Sequence, residues 1–168
     1  MPFVLDTDTF IEAKDDFYGF DFCPAYWDWL LRENSAGEIF SIDRVLQELG
    51  SGNDDLAVWA SRRGAGFFLP MDTQTAAAFK RVSNYVQNLP ASFPAHKKNV
   101  FLGGADPILI AHALAHGYTV VTREIFAPGA TSKIKVPNVC QHFDVPVMRP
   151  CDMMRALQAS FVLAPKSA

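Results

Sequence analysis

Three acidic residues stand where apolar runs begin or end. Asp6 closes the run Phe3-Val4-Leu5, and Asp106 opens Asp106-Pro107-Ile108-Leu109-Ile110-Ala111-His112-Ala113. Glu124 follows Tyr118-Thr119-Val120-Val121-Thr122 by two residues. Carboxylates at the carboxyl ends of parallel strands occupy the crevice in which open α/β sheets bind ligands. Crowded there, they repel one another unless a cation lies between them, and a hard oxygen donor set selects Mg²⁺ or Mn²⁺. The chemistry such a cluster performs is metal-assisted hydrolysis of a phosphodiester.

Other residues stand near these acids in the sequence. Thr122 is placed to turn its hydroxyl toward the same site, and Arg123 adjoins Glu124. Lys97, Lys98, Lys133 and Lys135 fall in segments that flank the acids, where a substrate phosphate would need cations. His112 and His116 share a helix face at i, i+4, but the segment His-Ala-Leu-Ala-His lacks the general-base Glu of H-E-x-x-H, so it reads as the polar edge of a buried helix. Gly103-Gly104 is followed by no Lys-Ser or Lys-Thr and is not a phosphate-binding loop. Cys23, Cys140 and Cys151 have no sequence partner that marks a nucleophile.

These residues need a scaffold, and the sequence patterning supplies one. Residues 3–6 read as a strand, apolar throughout as in a sheet covered on both faces. A helix follows, with Thr9-x-x-Glu12 as a capping box, until Gly19 and Pro24 break it. Further helices are predicted over 25–33, 43–49, 54–63, from Asp72 or Thr73 to 89, 106–116, 138–143 and 151–160. Strands are predicted over 38–42, 67–70, 118–122 and 145–148, and loops over 90–104 and 126–137. Asp106 is read as an N-cap with Pro107 at the first helical position, and Gly117 as the residue that ends that helix. Alternation of this kind implies a parallel sheet between helical layers.

The chain has 168 residues, enough for one domain with a real core, and a single domain over 1–168 is expected. With 49% hydrophobic and 20% charged residues, disorder is excluded. A net charge of −3 excludes a strongly basic, non-specific nucleic-acid binder, but not an enzyme that meets nucleic acid at a local site. Three cysteines without a CxxC pair argue against a disulfide framework and a zinc ribbon, and fit a cytoplasmic protein. The start of the sequence has no basic n-region, and no apolar run approaches the roughly 20 residues that span a bilayer, so no membrane association is expected.

Val4-Leu5-Asp6-Thr7-Asp8-Thr9-Phe10-Ile11 resembles the opening motif of PIN domains. The stretch 39–50 around Glu48, the segment 104–113 around Asp106, and Val120-Val121-Thr122-Arg123-Glu124 resemble the second, third and fourth acidic motifs, in the same order. Residues 6–14 followed by 18–24 resemble more narrowly an uncharacterised bacterial PIN-like branch (DUF4411-like), similar to the VapC-type toxin ribonucleases. The resemblance implies a three-layer α/β/α sandwich with a mainly parallel central sheet. It also implies an Mg²⁺- or Mn²⁺-dependent endoribonuclease, the toxin of a toxin–antitoxin pair. Carried onto this sequence, the metal-site acids are Asp6, Glu48, Asp106 and Glu124. Glu124 is one methylene longer than the Asp usual in the toxins. Asp8 replaces a small polar residue and stands as a further ligand or as an acceptor behind the ligands.

RNA is the expected substrate, with Thr122, Arg123, Lys133 and Lys135 as substrate contacts. A cognate antitoxin is the expected protein partner and a homodimer a further expectation. The aromatic stretch Tyr26-Trp27-Asp28-Trp29-Leu30-Leu31 reads equally as partner surface or as core. Two rival classes remain open. One is a PIN-like binding module without catalysis. The other is an Asp-nucleophile phosphatase, because Asp6-Thr7-Asp8-Thr9 resembles a D-x-D-x-T motif, although no suitable Lys precedes a later acidic pair.

Overall fold

The computed structural model describes residues 1–129 and 133–162. Part of the predicted loop over 126–137 therefore lies outside the described residues. Five strands form one parallel sheet: β1 (Phe3–Leu5), β2 (Ile39–Ile42), β3 (Phe68–Leu69), β4 (Thr119–Val121) and β5 (Val147–Met148). Their spatial order is β3-β2-β1-β4-β5. The chain steps outward from β1 to β3, then returns across the sheet to the other side of β1. That reversal creates a switch point between β1 and β4, the place where open α/β sheets form a ligand crevice.

Helices α1 (Thr7–Glu12), α2 (Pro24–Ser35), α3 (Asp43–Leu49) and α4 (Asp55–Ser61) connect the first three strands. A π-helical segment, Ala13–Phe17, extends α1. Helices α5 (Thr73–Gln87), α6 (Ala95–Gly103), α7 (Asp106–His116) and α8 (Val136–His142) follow the reversal, and α9 (Pro150–Ala156) follows β5. Right-handed crossovers in opposite directions place α1–α4 and α5–α8 on opposite faces of the sheet, with α9 on the side of α1 and α2, where Met154 meets Tyr18; this gives three layers, α/β/α.

Strand residues Val4, Leu5, Ile39, Val120 and Val121 have no solvent exposure, as their unbroken apolar runs require. On one face, Phe10 of α1, Trp27 of α2 and Trp59 of α4 pack ring on ring, with Trp27 and Trp59 centroids 4.9 Å apart. The aromatic stretch of α2 is thus core: Tyr26, Trp27, Trp29 and Leu30 are buried, which removes it as a partner surface. On the other face α7 lies along α5. Thr75 of α5 is 3.1 Å from Nδ1 of buried His112, and His116 Nε2 meets Asp72 at 2.9 Å. The histidine pair serves packing between helices, and burial lowers the His112 pKa to about 4.

Several boundaries differ from expectation for physical reasons. The predicted loop 90–104 contains α6, with extended Pro94 preceding it and Phe101 buried. Two prolines and a glycine pair at its edges conceal its single apolar anchor. Asp6, not Thr9, caps α1, and the Thr9 hydroxyl donates instead to the Val121 carbonyl at 3.2 Å. No capping box forms, because Thr9 already lies inside the helix. Ala105 is the N-cap of α7, so Asp106 is the first helical residue and Pro107 the second. Gly117 ends α7 at φ 71°, ψ 35°. Gly117→Ala should cost about 1–2 kcal/mol, because a Cβ is disfavoured in that conformation. A lower urea midpoint with an unchanged slope would register it.

Candidate metal centre at the sheet mouth

The carboxyl end of β1 is held by a set of bonds to its neighbours. The Asp6 amide donates to the Val121 carbonyl at 2.9 Å, and the buried Ser41 hydroxyl of β2 donates to the Leu5 carbonyl at 2.7 Å. These bonds leave Asp6 little choice of position. Its side chain is 5% exposed. Oδ1 accepts from the Thr7 amide at 2.7 Å, and Oδ2 accepts from the Thr122 hydroxyl at 2.8 Å. The same Thr122 hydroxyl lies 3.1 Å from Asp8 Oδ2, so one proton serves two carboxylates. Asp8 also accepts from the Arg123 amide at 3.1 Å. Thr122 is therefore a buried clasp between β4 and α1.

Asp106 reaches the same mouth from the other layer, because α7 runs back toward the start of β4 and its first turn lies at the carboxyl edge of the sheet. Its carboxylate is half-buried and accepts no hydrogen bond from a described residue. Glu48, in the last turn of α3, bridges the two layers. It accepts from the Thr7 hydroxyl at 2.6 Å and from the Ala105 amide, next to Asp106, at 2.9 Å. Glu124 accepts from the Val136 amide at 2.8 Å and pairs with Lys133.

Electrostatics follow from this crowding. Burial first, then the charges of Asp8 and Asp106, raise the Asp6 pKa well above the usual carboxylate range, and the bonds from Thr122 and Thr7 offset only part of that. Burial also raises Asp8, with Glu124 adding repulsion. Asp106 is pushed up to about 6 by burial and by Glu124, Glu48 and Asp8, against relief from Lys133. Beneath the cluster, burial and then Asp6 and Asp106 push up the thiol of Cys140, which stays protonated.

The donor set fits a hard divalent cation: carboxylate oxygens alone, mutually repelling, at a ligand crevice. Among the described residues, no three His, Cys, Asp or Glu side chains already form a ligand set. Glu48, Glu124 and Asp6 are each turned onto protein donors. Asp106 would hold a cation directly, and so would Asp6 through the lone pairs its two hydrogen bonds leave free. Glu48 and Glu124 would join by exchanging donors or through water, and Asp8 shares the Thr122 clasp.

Beside the acids, a cleft of about 390 Å³ is lined by Glu48, Asp106, Lys133, Lys97 and His96, with Val100 and Phe101 as an apolar wall. Of the expected substrate contacts, Lys133 reaches this cleft. The Lys135 ammonium stands at 3.4 Å from the Ile125 carbonyl, and the Arg123 guanidinium pairs with Glu12. Lys98 is committed to structure, donating to the carbonyls of Gln87 and Leu89 at 2.8 and 2.6 Å. Sequence reasoning missed His96 in the cleft wall, and Ser41 and Thr9 behind Asp6. Only the polarity of Ser41 inside the apolar segment 39–42 signalled such a role; Thr9, in the polar run 6–9, gave no such signal.

The family described as Domain of unknown function (DUF4411) matches residues 3–161. No curated protein and no solved structure matches the chain.

Asp6 and Asp106 titrate higher in the fold than in the unfolded chain, so folding favours their protonated forms. Their contribution is fully present below the unfolded carboxyl pKa of 3.8 and is lost as pH rises, through about 6 for Asp106. A shift of that size corresponds to about 3 kcal/mol as an upper figure. In EDTA, the thermal stability of the wild-type protein relative to Asp106→Asn should therefore fall from pH 4.5 to 7.5; buried His112, whose lowered pKa acts in the opposite sense over this range, is common to both proteins and cancels in the difference. Mn²⁺ should restore the wild-type protein's stability at the upper end.

Proposed function

The chain belongs to the DUF4411 family, and we propose that it is an Mg²⁺- or Mn²⁺-dependent endoribonuclease of PIN-like type, the toxin of a toxin–antitoxin pair. The observation that carries this reading is the burial of Asp6 beside Asp8 and Asp106 at the β1/β4 switch point, where their pKa values rise together. Such repulsion is a standing cost to the fold that a divalent cation would relieve. When bound, the cation supplies Lewis acidity for attack on a phosphodiester.

The chain's own residues divide the remaining work. Asp6 and Asp106 hold the cation, with Glu48 and Glu124 completing its surroundings. Thr122, fully buried, acts as a positioning residue: it fixes the Asp6 and Asp8 carboxylates. Lys133, exposed and paired with Glu124, is able to exchange that partner for a phosphate oxygen, since exposed pairs of this kind are worth about 1 kcal/mol or less. The adjoining cleft, with Lys97 and His96, extends the contact along the nucleic-acid backbone. A cognate antitoxin would silence the site by covering the acidic mouth with an Arg or Lys.

Cleavage of a panel of structured and single-stranded RNAs in Mg²⁺, Mn²⁺ or EDTA tests this. The expected result is cation-dependent cleavage that falls by more than about 100-fold in Asp6→Asn and in Asp106→Asn, with the fold retained. Thr122→Val should lose roughly 10- to 100-fold, as groups that orient ligands do. Folded protein that cleaves no RNA with either metal would overturn the enzymatic reading in favour of a binding module.

A further inference from the structure

A second groove shares no lining residue with the Lys133 cleft. It lies between the π-helical extension of α1, α9 and the loop after β4, and has a volume of about 390 Å³. That falls within the roughly 300–1,000 Å³ of small-ligand sites. Phe17, Tyr18, Arg123, Ile125, Arg149 and Arg155 are among its lining residues.

Two of them, Phe17 at 56% and Ile125 at 67% exposure, are large apolar side chains left in solvent around one groove. Tyr18 is fixed from behind: its ring stacks on buried Tyr26 at 4.3 Å and 12°, and its hydroxyl points to the Met154 sulfur at 3.7 Å. Phe17 stands beside it with ring centroids 6.2 Å apart. The pair makes a rigid aromatic ledge with an open outer edge. It is carried on a π-helical turn, a rare conformation that is frequent at functional sites.

The rim is cationic. Arg149 and Arg155 share a single carboxylate, Asp152, at 3.3 and 2.8 Å, and Arg123 pairs with Glu12. Among the lining residues three guanidiniums stand with one carboxylate, Glu12, while Asp15 and Asp16 of the π-helical turn and Asp152 of α9 lie on the elements that flank the groove. Aromatic faces beside arginines are the chemistry that holds single-stranded nucleic acid, where bases stack and guanidiniums take phosphate. The groove is also wired to the acids: the Arg123 amide donates to Asp8, whose carboxylate shares the Thr122 hydroxyl with Asp6.

We infer that this groove is a nucleobase subsite for single-stranded RNA, seating an unpaired base that flanks the scissile phosphate. The inference rests on the ribonuclease reading and deepens it. A base on the Phe17–Tyr18 ledge anchors one side of the cleaved bond, while the Lys133 cleft takes backbone on the other. Bases inside a duplex remain stacked and cannot enter, so the substrate class is single strands, loops or bulges.

Fluorescence anisotropy with labelled decauridylate, and with an RNA duplex of equal length, tests the subsite on the cleavage-deficient Asp106→Asn protein in Mn²⁺. Phe17→Ala, and separately Arg149→Ala with Arg155→Ala, alter exposed side chains. Each should weaken single-strand binding roughly 5- to 100-fold, with Phe17→Trp restoring it and the duplex binding poorly throughout. On the Asp106-intact protein, a single abasic nucleotide moved along a cleaved RNA should slow cleavage at one position beside the scissile bond. That effect should vanish in Phe17→Ala. Unchanged affinity in both groove variants overturns the subsite, even if the wild-type protein cleaves RNA. Groove-dependent binding by a protein that cleaves nothing supports the subsite and overturns only the ribonuclease reading.

Discussion

Repulsion among carboxylates that folding forces into a nearly dry space is the constraint around which this molecule is arranged. Asp6 cannot retreat from it. Its amide is bonded to Val121, the preceding carbonyl is bonded to Ser41, and both of its side-chain oxygens accept protein hydrogen bonds. Asp8 and Asp106 are brought beside it by two different layers, through α1 and α7. The strands supply rigidity, since β1 is paired on both sides and buried on both faces. The helices supply charge. A hydrophobic replacement of Asp6 would satisfy the fold more easily, which is why this burial speaks for function.

Much of this was legible in the sequence. The buried strands at 3–5 and 119–121, apolar but for Thr119, declare a doubly covered parallel sheet, and the acids that follow them declare the crevice. Gly117 and Asp72 announce the end and the start of their helices by local chemistry alone. The reversal of strand order, which makes a crevice rather than a row of isolated acids, follows from handed crossovers that a pattern only implies.

What the sequence hid depends on distance along the chain. The sequence directs the Thr122 hydroxyl to the acids, but not to the particular partners Asp6 and Asp8, 116 and 114 positions away, which it joins because two strands pair. Glu48 is expected among the metal-site acids from the resemblance alone; that it bridges Thr7 and Ala105 across layers has no local signal. The Trp-rich stretch of α2 has the composition of an interface and is core, because Trp59 arrives from α4 to cover it. Asp106 looked like a cap; with Ala105 in that position, its carboxylate remains available to the mouth.

The central claim is that the buried acids are a cation site, and crystals grown with Mn²⁺ and measured for anomalous scattering test it most directly. The account predicts a manganese peak bound by the carboxylates of Asp6 and Asp106 at about 2.1 Å, a typical distance for hard-cation oxygen ligands. Well-ordered Asp6 and Asp106 with no peak between them, at Mn²⁺ concentrations that label other sites on the protein, would contradict it.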